Sequence, residues 1–188
     1  MSINLIVGPM KSGKTSEMLR LAERHKIAGK SVCILRPEFD NRGMFVRNLH
    51  ITQEFDIITV RSDHGNQQFL FKNDEDRKLC NSCDVICIDE GQFFWGLREI
   101  CNTFEQMNKI VYISALNGTA EQLEWKSISS VVPLAENITF MKAVCEECGK
   151  DASFCIYKGG KSEQVVIGDS EYEAICLSCL QKYKEDIK

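Results

Sequence analysis

The segment at residues 8–15, Gly-Pro-Met-Lys-Ser-Gly-Lys-Thr, constrains the fold of this chain more than any other feature. It fits the P-loop pattern, in which glycines let the backbone curl until several N–H groups face one anion. An apolar run at residues 3–7 precedes it and predicts a buried strand, and residues 14–28 have helical apolar spacing. This order of strand, loop and helix predicts a nucleoside-triphosphate site; the alternative is an ordinary glycine-rich turn.

Every residue of this segment is a candidate phosphate ligand. Lys14 is expected to reach the β- and γ-phosphates, and the Thr15 hydroxyl is expected to bind Mg²⁺. The positive end of the following helix dipole adds to the attraction for an anion. The Lys11 side chain is expected to lie in solvent or to add to the local positive charge. The candidate ATP-binding residues are Gly8, Pro9, Met10, Lys11, Ser12, Gly13, Lys14 and Thr15.

A second buried strand is predicted at residues 84–89, where the apolar residues 85–88 are followed by the acids Asp89 and Glu90. The carboxyl ends of buried parallel strands form the edge of the sheet at which ligands bind. Asp89 is therefore expected to hold the metal, and Glu90 is a candidate general base for a hydroxyl acceptor. The alternative is that both acids are solvated turn residues.

Two further candidate phosphate-binding residues lie beyond the predicted strand at residues 31–35. Asp40 and Arg42 follow that strand and are candidates to face the phosphates at the same edge of the sheet. An ordinary surface turn explains them equally well.

Short apolar runs alternate with longer segments along most of the chain. Strands are predicted at residues 3–7, 31–35, 84–89 and 110–113, and helices at 14–28, 67–79 and 97–107. Strands separated by helix-length segments favour an α/β fold, with a mostly parallel sheet and helices on both faces. After Pro133 the sequence changes in character, because pairs of cysteines appear. We therefore expect a domain boundary near residue 142.

Composition narrows the classes of partner. The chain has 188 residues, 23 Lys plus Arg and 27 Asp plus Glu, which gives a net charge of −4. A protein that binds nucleic acid through electrostatic attraction needs a basic face, and this chain is acidic overall. No nucleic-acid partner is therefore expected. No apolar run approaches a membrane span, and the N-terminus does not have the pattern of a signal peptide. We therefore expect a cytoplasmic protein without a membrane partner.

Ten cysteines are many for this length. Thiols stay reduced in the cytosol, so metal binding is a better explanation than disulfides for cysteines that occur in pairs. Two Cys-x-x-Cys pairs suit a closed, structural zinc site: Cys145 with Cys148, and Cys176 with Cys179. The alternative is four buried thiols that only pack. A third pair, Cys80 and Cys83, has no matching pair and is expected to be incidental.

Many separate motifs resemble those of the cytosolic-type (type II) thymidine kinases, and they occur in the same order along nearly the whole chain. They are Gly-Pro-Met at 8–10, Ser-Gly-Lys at 12–14, Asp-Asn-Arg at 40–42, Ile-Asp-Glu-Gly-Gln-Phe-Phe at 88–94, Ala-Leu-Asn-Gly-Thr at 115–119, Pro-Leu-Ala-Glu at 133–136, Ala-Val-Cys at 143–145, and Ile-Gly at 167–168 with Tyr172 before Cys176.

The resemblance implies a RecA-like P-loop domain at residues 1–142, a small zinc-bound lasso domain at residues 143–188, and a homotetramer. It also implies a reaction, the transfer of the ATP γ-phosphate to the 5′-hydroxyl of thymidine or a related pyrimidine deoxynucleoside. The implied cofactors are Mg²⁺ and structural Zn²⁺. Alternatives are a zinc-containing P-loop ATPase, including one that contacts nucleic acid, and a nucleotide kinase that acts on another acceptor.

Matching positions carry over the family's roles. Glu90 is the implied catalytic base, and Gln92 joins the ATP-binding residues together with Asp89, Asp40 and Arg42. The implied magnesium ligands are Thr15 and Asp89. The implied nucleoside-binding residues are Met10, Phe93, Leu116 and Tyr172, with the lasso backbone at Val166, Ile167 and Gly168.

The chain departs from the family pattern near the expected position of the base. Asn117 stands where the family usually has Asp, and Ala120 stands where it has Phe. Trp125 is a candidate to refill the space that the missing ring leaves. We expect these differences to affect the choice of base more than the reaction itself.

Overall fold

A computed structural model describes residues 1–39, 55–62, 69–159 and 171–186. Five of the residues with predicted roles lie outside this part of the chain. They are Asp40, Arg42, Val166, Ile167 and Gly168, and their roles stay predictions.

A seven-stranded sheet forms the centre of the molecule, with strand order β4-β3-β2-β5-β6-β1-β7. Its strands are β1 (Ser2–Gly8), β2 (Val32–Pro37), β3 (Asp56–Ser62), β4 (Phe69–Phe71), β5 (Val85–Ile88), β6 (Ile110–Leu116) and β7 (Asn137–Phe140). All neighbouring pairs are parallel except β3 and β4. The predicted mostly parallel α/β architecture is therefore confirmed.

Helices cover both faces of this sheet. α1 (Lys14–Ile27) buries Met18, Leu19 and Ala22 against one face. α3 (Leu97–Gln106) and α4 (Lys126–Val131) cover the other face, where α3 buries its apolar side and α4 contributes Ile128. The central strands are buried on both faces, which explains why they occur in the sequence as continuous apolar runs.

One predicted helix is wrong in its first part. Residues 67–79 were expected to be helical, but β4 occupies residues 69–71 and pairs antiparallel with β3. Helix α2 runs only from Asp74 to Ser82. Asn73 marks its start, since its side chain accepts a hydrogen bond of 2.7 Å from the backbone N–H of Asp76.

The C-terminal part of the chain builds two small antiparallel sheets and one helix. β8 (Ala143–Val144) pairs with β9 (Asp151–Ala152), and β10 (Phe154–Tyr157) pairs with β11 (Tyr172–Ile175), which leads to α5 (Leu177–Asp186). These elements share a separate apolar cluster that includes Ala143, Ile156 and Leu180. Among the described residues, none of the helices has the length and apolar character that a membrane span requires.

Candidate active site

The loop between β1 and α1 has the curled backbone that the P-loop pattern predicts. Lys11 and Gly13 have left-handed φ angles of 62° and 82°. Gly8 allows a close approach, because a Cβ atom there would lie 2.4 Å from the carbonyl oxygen of Met141. The helix begins directly afterwards at Lys14, so its amino end faces the concave side of the loop.

Two side chains of this loop hydrogen-bond to the loop itself. The Ser12 hydroxyl donates to the Pro9 carbonyl oxygen at 2.8 Å, and the Lys14 ammonium donates to the same oxygen at 2.7 Å. Lys14 is only 9% exposed. The Lys14 ammonium, which is predicted to bind the phosphates, thus lies inside the loop rather than in bulk solvent.

Asp89 lies at the carboxyl end of β5 and is only 2% exposed. Its Oδ1 accepts hydrogen bonds from the hydroxyls of Thr15 at 3.0 Å and of Ser114 at 2.9 Å. Its Oδ2 forms an ion pair with Nε of Arg36 at 3.8 Å. Arg36 lies near the end of β2, which neighbours β5 on the side opposite β6. The structure thus joins the first residues of α1 to the acid after β5, as the sequence predicts.

Thr15 and Asp89 bring a hydroxyl and a carboxylate together, at 3.0 Å across their hydrogen bond. Hydroxyl and carboxylate oxygens are the kind of ligand that Mg²⁺ prefers, so these two residues could hold it.

Glu90 follows Asp89 and adopts a left-handed backbone with φ 54°. Its carboxylate oxygen Oε2 accepts a hydrogen bond from the Gln92 amide at 2.5 Å. The amide oxygen of Gln92 accepts in turn from the backbone N–H of Leu116 at 3.0 Å. Gln92 is 5% exposed, so a buried amide connects the end of β6 to the carboxylate of Glu90.

Aromatic side chains line the space beside this turn. Phe93 packs edge-on against Phe39 at 5.1 Å and against Trp125 at 5.7 Å between ring centroids. A cavity of about 330 Å³ opens here, and of the described nucleoside-site candidates only Phe93 lines it. Its lining residues are Pro37, Glu38, Phe39, Val60, Arg61, Phe93, Phe94 and Trp95.

The other described nucleoside-site candidates also lie near the loop or the turn. The Met10 backbone N–H donates to Sγ of Cys155 at 3.0 Å. Leu116 ends β6, beside Gln92. The Tyr172 carbonyl oxygen accepts from the Lys11 ammonium at 3.2 Å, which places the start of β11 beside the loop.

The Lys11 side chain is exposed, as expected, and its ammonium also has partners in the C-terminal part. Its ammonium forms an ion pair with Glu146 at 2.8 Å, in addition to its bond to the Tyr172 carbonyl. The Lys11 ammonium and the N–H of Ala174 lower the pKa of the Glu146 carboxyl, which therefore stays ionised. The side chain of Lys11 thus joins the phosphate-loop candidate to the C-terminal part.

One departure from the family pattern has a visible contact. The Asn117 amide donates to the Ser153 carbonyl oxygen at 3.0 Å, a bond that an ionised Asp could not donate. Trp125 contacts Phe93, and its role in refilling the space at Ala120 stays a prediction.

The two predicted cysteine pairs converge on one point. The sulfur atoms of Cys145, Cys148, Cys176 and Cys179 all lie within 4.8 Å of one another. In a tetrahedral zinc site with Zn–S bonds of about 2.3 Å, the sulfurs lie about 3.8 Å apart. The Cys148 to Cys176 distance is 3.6 Å. Four thiols at this spacing could hold a zinc ion with no position left for water.

The local environment favours the thiolate form of one member of this cluster. Burial raises the pKa of the Cys145 thiol, but hydrogen bonds from neighbouring backbone groups outweigh that effect and bring the pKa to about 6. Gly149, with φ 73°, closes the turn after Cys148. Its N–H donates to the Cys145 carbonyl at 2.8 Å.

The third cysteine pair lies elsewhere. Cys80 and Cys83 are buried in the same core cluster as Cys33 of β2. The two neighbouring thiols and burial raise the pKa of Cys33, which keeps its thiol protonated. That the pair is incidental stays a prediction.

Sequence reasoning missed three groups around the two acids. They are Ser114 and Arg36, which contact Asp89, and the side chain of Gln92 as the partner of Glu90. The sequence did contain a signal for Ser114 and Arg36, because each is a polar residue within or at the end of an apolar strand. Only the strand order, with β5 between β2 and β6, shows that they face the same carboxylate.

Comparison with known proteins gives a consistent result. The family model described as thymidine kinase matches residues 1–180. The thymidine kinase of Myxoma virus (strain Lausanne) is 35% identical over 179 residues, which cover 94% of each chain.

Two further viral relatives have similar identities to this chain. The thymidine kinase of Vaccinia virus (strain Western Reserve) is 33% identical over 184 residues, and that of Monkeypox virus (strain Zaire-96-I-16) is 32% identical over 187 residues. Each alignment covers 94% of this chain and 95% of the viral protein.

Proposed function

This chain belongs to the thymidine kinase family, and we therefore propose that it transfers the γ-phosphate of ATP to the 5′-hydroxyl of thymidine or a related pyrimidine deoxynucleoside. The single observation that carries the proposal is the 3.0 Å hydrogen bond between Thr15 and Asp89. It brings the loop suited to a triphosphate next to the acid suited to its metal, one residue from the proposed base.

The triphosphate binds in the curled loop. Backbone N–H groups of residues 11–15 and the amino end of α1 face the phosphates, and Lys14 turns from the Pro9 carbonyl to the β- and γ-phosphates. Thr15 and Asp89 hold Mg²⁺, supported by Ser114 and Arg36. When bound, the metal neutralises charge on the phosphate oxygens.

Glu90 takes the proton of the 5′-hydroxyl as that oxygen attacks the γ-phosphorus. A P–O bond to the sugar forms, the bond between the γ-phosphorus and the β–γ bridging oxygen breaks, and ADP leaves with the electron pair. Gln92 keeps the Glu90 carboxylate in one orientation through its hydrogen bond to Oε2. A base already oriented toward the acceptor lowers the barrier without later rearrangement.

The nucleoside lies beside the turn that follows Glu90. Phe93 supplies an apolar wall, and Met10, Leu116 and Tyr172 lie on the elements that surround it. The backbone at Val166, Ile167 and Gly168 binds the edge of the base in this proposal. Gln92, Asp40 and Arg42 complete the ATP side.

Structural Zn²⁺ occupies the four-cysteine cluster and stabilises a lasso domain at residues 143–188, separate from the P-loop domain at residues 1–142. The separate apolar cluster of the C-terminal part supports this division. We further propose a homotetramer in the cytoplasm. Ten cysteines, none in a disulfide, support a reducing compartment.

A panel of acceptors tests the proposal. Purified protein is incubated with Mg²⁺, labelled ATP and one acceptor at a time: thymidine, deoxyuridine, deoxycytidine, deoxyadenosine or thymidine monophosphate. We expect phosphate transfer to thymidine or another pyrimidine deoxynucleoside. Transfer only to the monophosphate would identify a nucleotide kinase, and ATP hydrolysis without any acceptor would identify an ATPase; either result would refute the proposal.

A further inference from the structure

The phosphate-binding loop touches the C-terminal part through three polar contacts. The Lys11 ammonium contacts the Glu146 carboxylate at 2.8 Å and the Tyr172 carbonyl at 3.2 Å, and the Met10 N–H contacts Sγ of Cys155 at 3.0 Å. These contacts join residues that are more than one hundred positions apart in the sequence. They all fall on two neighbouring residues at the tip of the loop.

That tip is the part of the loop that most needs support. Lys11 has a left-handed φ of 62°, a conformation that a residue with a side chain adopts only when its surroundings hold it there. Its side chain has two acceptors, and neither belongs to the loop. The conformation of the loop is therefore held in part by the C-terminal part.

Glu146 is itself held firmly. It lies between Cys145 and Cys148 of the four-cysteine cluster, and its Oε1 also accepts the N–H of Ala174 at 3.0 Å. An ion held by the four sulfurs would fix the backbone on both sides of Glu146. Cys155 is 7% exposed on β10, and its sulfur lies against the loop rather than in the cluster.

We propose that Glu146 and Cys155 are positioning residues that hold the tip of the phosphate-binding loop, at Met10 and Lys11, in the conformation that binds ATP. Lys11 serves here as the anchor of the loop, while Lys14 meets the phosphates. This inference rests on the proposed binding of ATP at residues 8–15. It assigns the C-terminal part a role in ATP affinity in addition to its proposed contact with the nucleoside.

The test measures ATP affinity directly, by calorimetry with Mg²⁺ and ATP and no nucleoside. Glu146→Gln and Lys11→Met each remove one partner of the ion pair and keep the size of the side chain. We expect each to weaken ATP binding by roughly twofold to fivefold, the scale of a partly exposed ion pair. The double variant should bind no more weakly than Lys11→Met, which already lacks both the ion pair and the Tyr172 contact.

A matched control lies one residue away. Glu147 is in the same Cys-x-x-Cys turn but pairs with Lys158 at 3.0 Å, away from the loop. Glu147→Gln is expected to bind ATP like the wild type. For the second contact, Cys155→Ala should weaken binding, whereas Cys155→Ser, which keeps an acceptor for the Met10 N–H, should restore most of it.

Steady-state kinetics distinguish a loss of loop positioning from a general loss of folded, active protein. In the Glu146 and Cys155 variants the KM for ATP should rise while kcat at saturating ATP and the metal content stay at wild-type values. Weaker ATP binding in Lys11→Met but not in Glu146→Gln would show that Lys11 binds phosphate directly and would overturn the inference. Unchanged affinity in all variants would also overturn it, whereas a wild-type protein that does not bind ATP would refute the proposed function itself.

Discussion

At the scale of single residues, Glu90 shows how a strained backbone aims a side chain. Its left-handed φ of 54° costs about 1–2 kcal/mol for a residue other than glycine. Gly91 makes the turn possible, because a Cβ there would lie 2.5 Å from a methyl group of Ile113. The turn is thus pressed against β6, and the Glu90 side chain is held where Gln92 can bind it.

Replacing Glu90 by Gln tests its role as the base. Gln keeps the shape of the side chain and an oxygen that can accept from Gln92, but it cannot take a proton from a hydroxyl. We expect kcat for thymidine phosphorylation to fall by about 10²–10⁴, with ATP affinity unchanged, because general-base catalysis contributes that much. Steady-state kinetics and calorimetry measure the two quantities.

Glu105→Gln provides the comparison for this experiment. Glu105 is an exposed glutamate on α3, and its substitution removes the same charge away from the site. Its kcat is expected to match the wild type. A Glu90→Gln enzyme with full activity would exclude Glu90 as the base.

At the scale of secondary structure elements, the capping of α2 explains an incorrect prediction. Apolar residues at 69–71 and 79 suit a single helix when only spacing is considered. Pairing of β4 with β3 depends on a contact between separate segments, and helix spacing carries no information about it. Asn73 was the missed local signal, because Asn at that position favours a helix start at Asp74.

The cap also gives a stability prediction. Asn73→Ala removes the acceptor for the Asp76 N–H and is expected to lower the free energy of unfolding by about 0.5–2 kcal/mol. Urea unfolding followed by circular dichroism measures this change. Asn81→Ala, an exposed position inside the same helix, should leave stability equal or slightly higher, because Ala is the better helix former. Equal losses in both variants would contradict the capping role of Asn73.

In the candidate active site, too, local sequence motifs predicted some contacts, whereas other contacts depend on segments that are distant in the sequence. Thr15 and Asp89 were predictable as partners, because each follows a buried strand of a parallel sheet at its carboxyl end. Ser114 and Arg36 were not, because their contact with Asp89 depends on β5 lying between β6 and β2. Motifs that are local in sequence were recovered, and contacts set by strand order required the structure.

At the scale of the whole molecule, the described residues of the C-terminal part bury few large apolar side chains. Their cluster has eight buried residues, of which three are alanines and two are cysteines of the metal-site candidate. Small units of this kind usually need a disulfide or a metal ion to remain folded. None of the ten cysteines forms a disulfide, which leaves the four-cysteine cluster as the candidate stabiliser.

Cys145→Ser tests that conclusion, because it removes one of four ligands and leaves a side chain of similar size. Metal analysis of the wild type should find about one zinc ion per chain, and the variant should hold much less. Its melting temperature should fall, since metal binding contributes to the folding free energy of such sites. Cys101→Ala, which removes a buried thiol of α3 outside the cluster, should lower stability through lost packing and keep the zinc. A wild-type zinc content near zero in carefully reduced protein would contradict the metal site, and the C-terminal part would then depend on its contacts with the phosphate-binding loop and the end of β6.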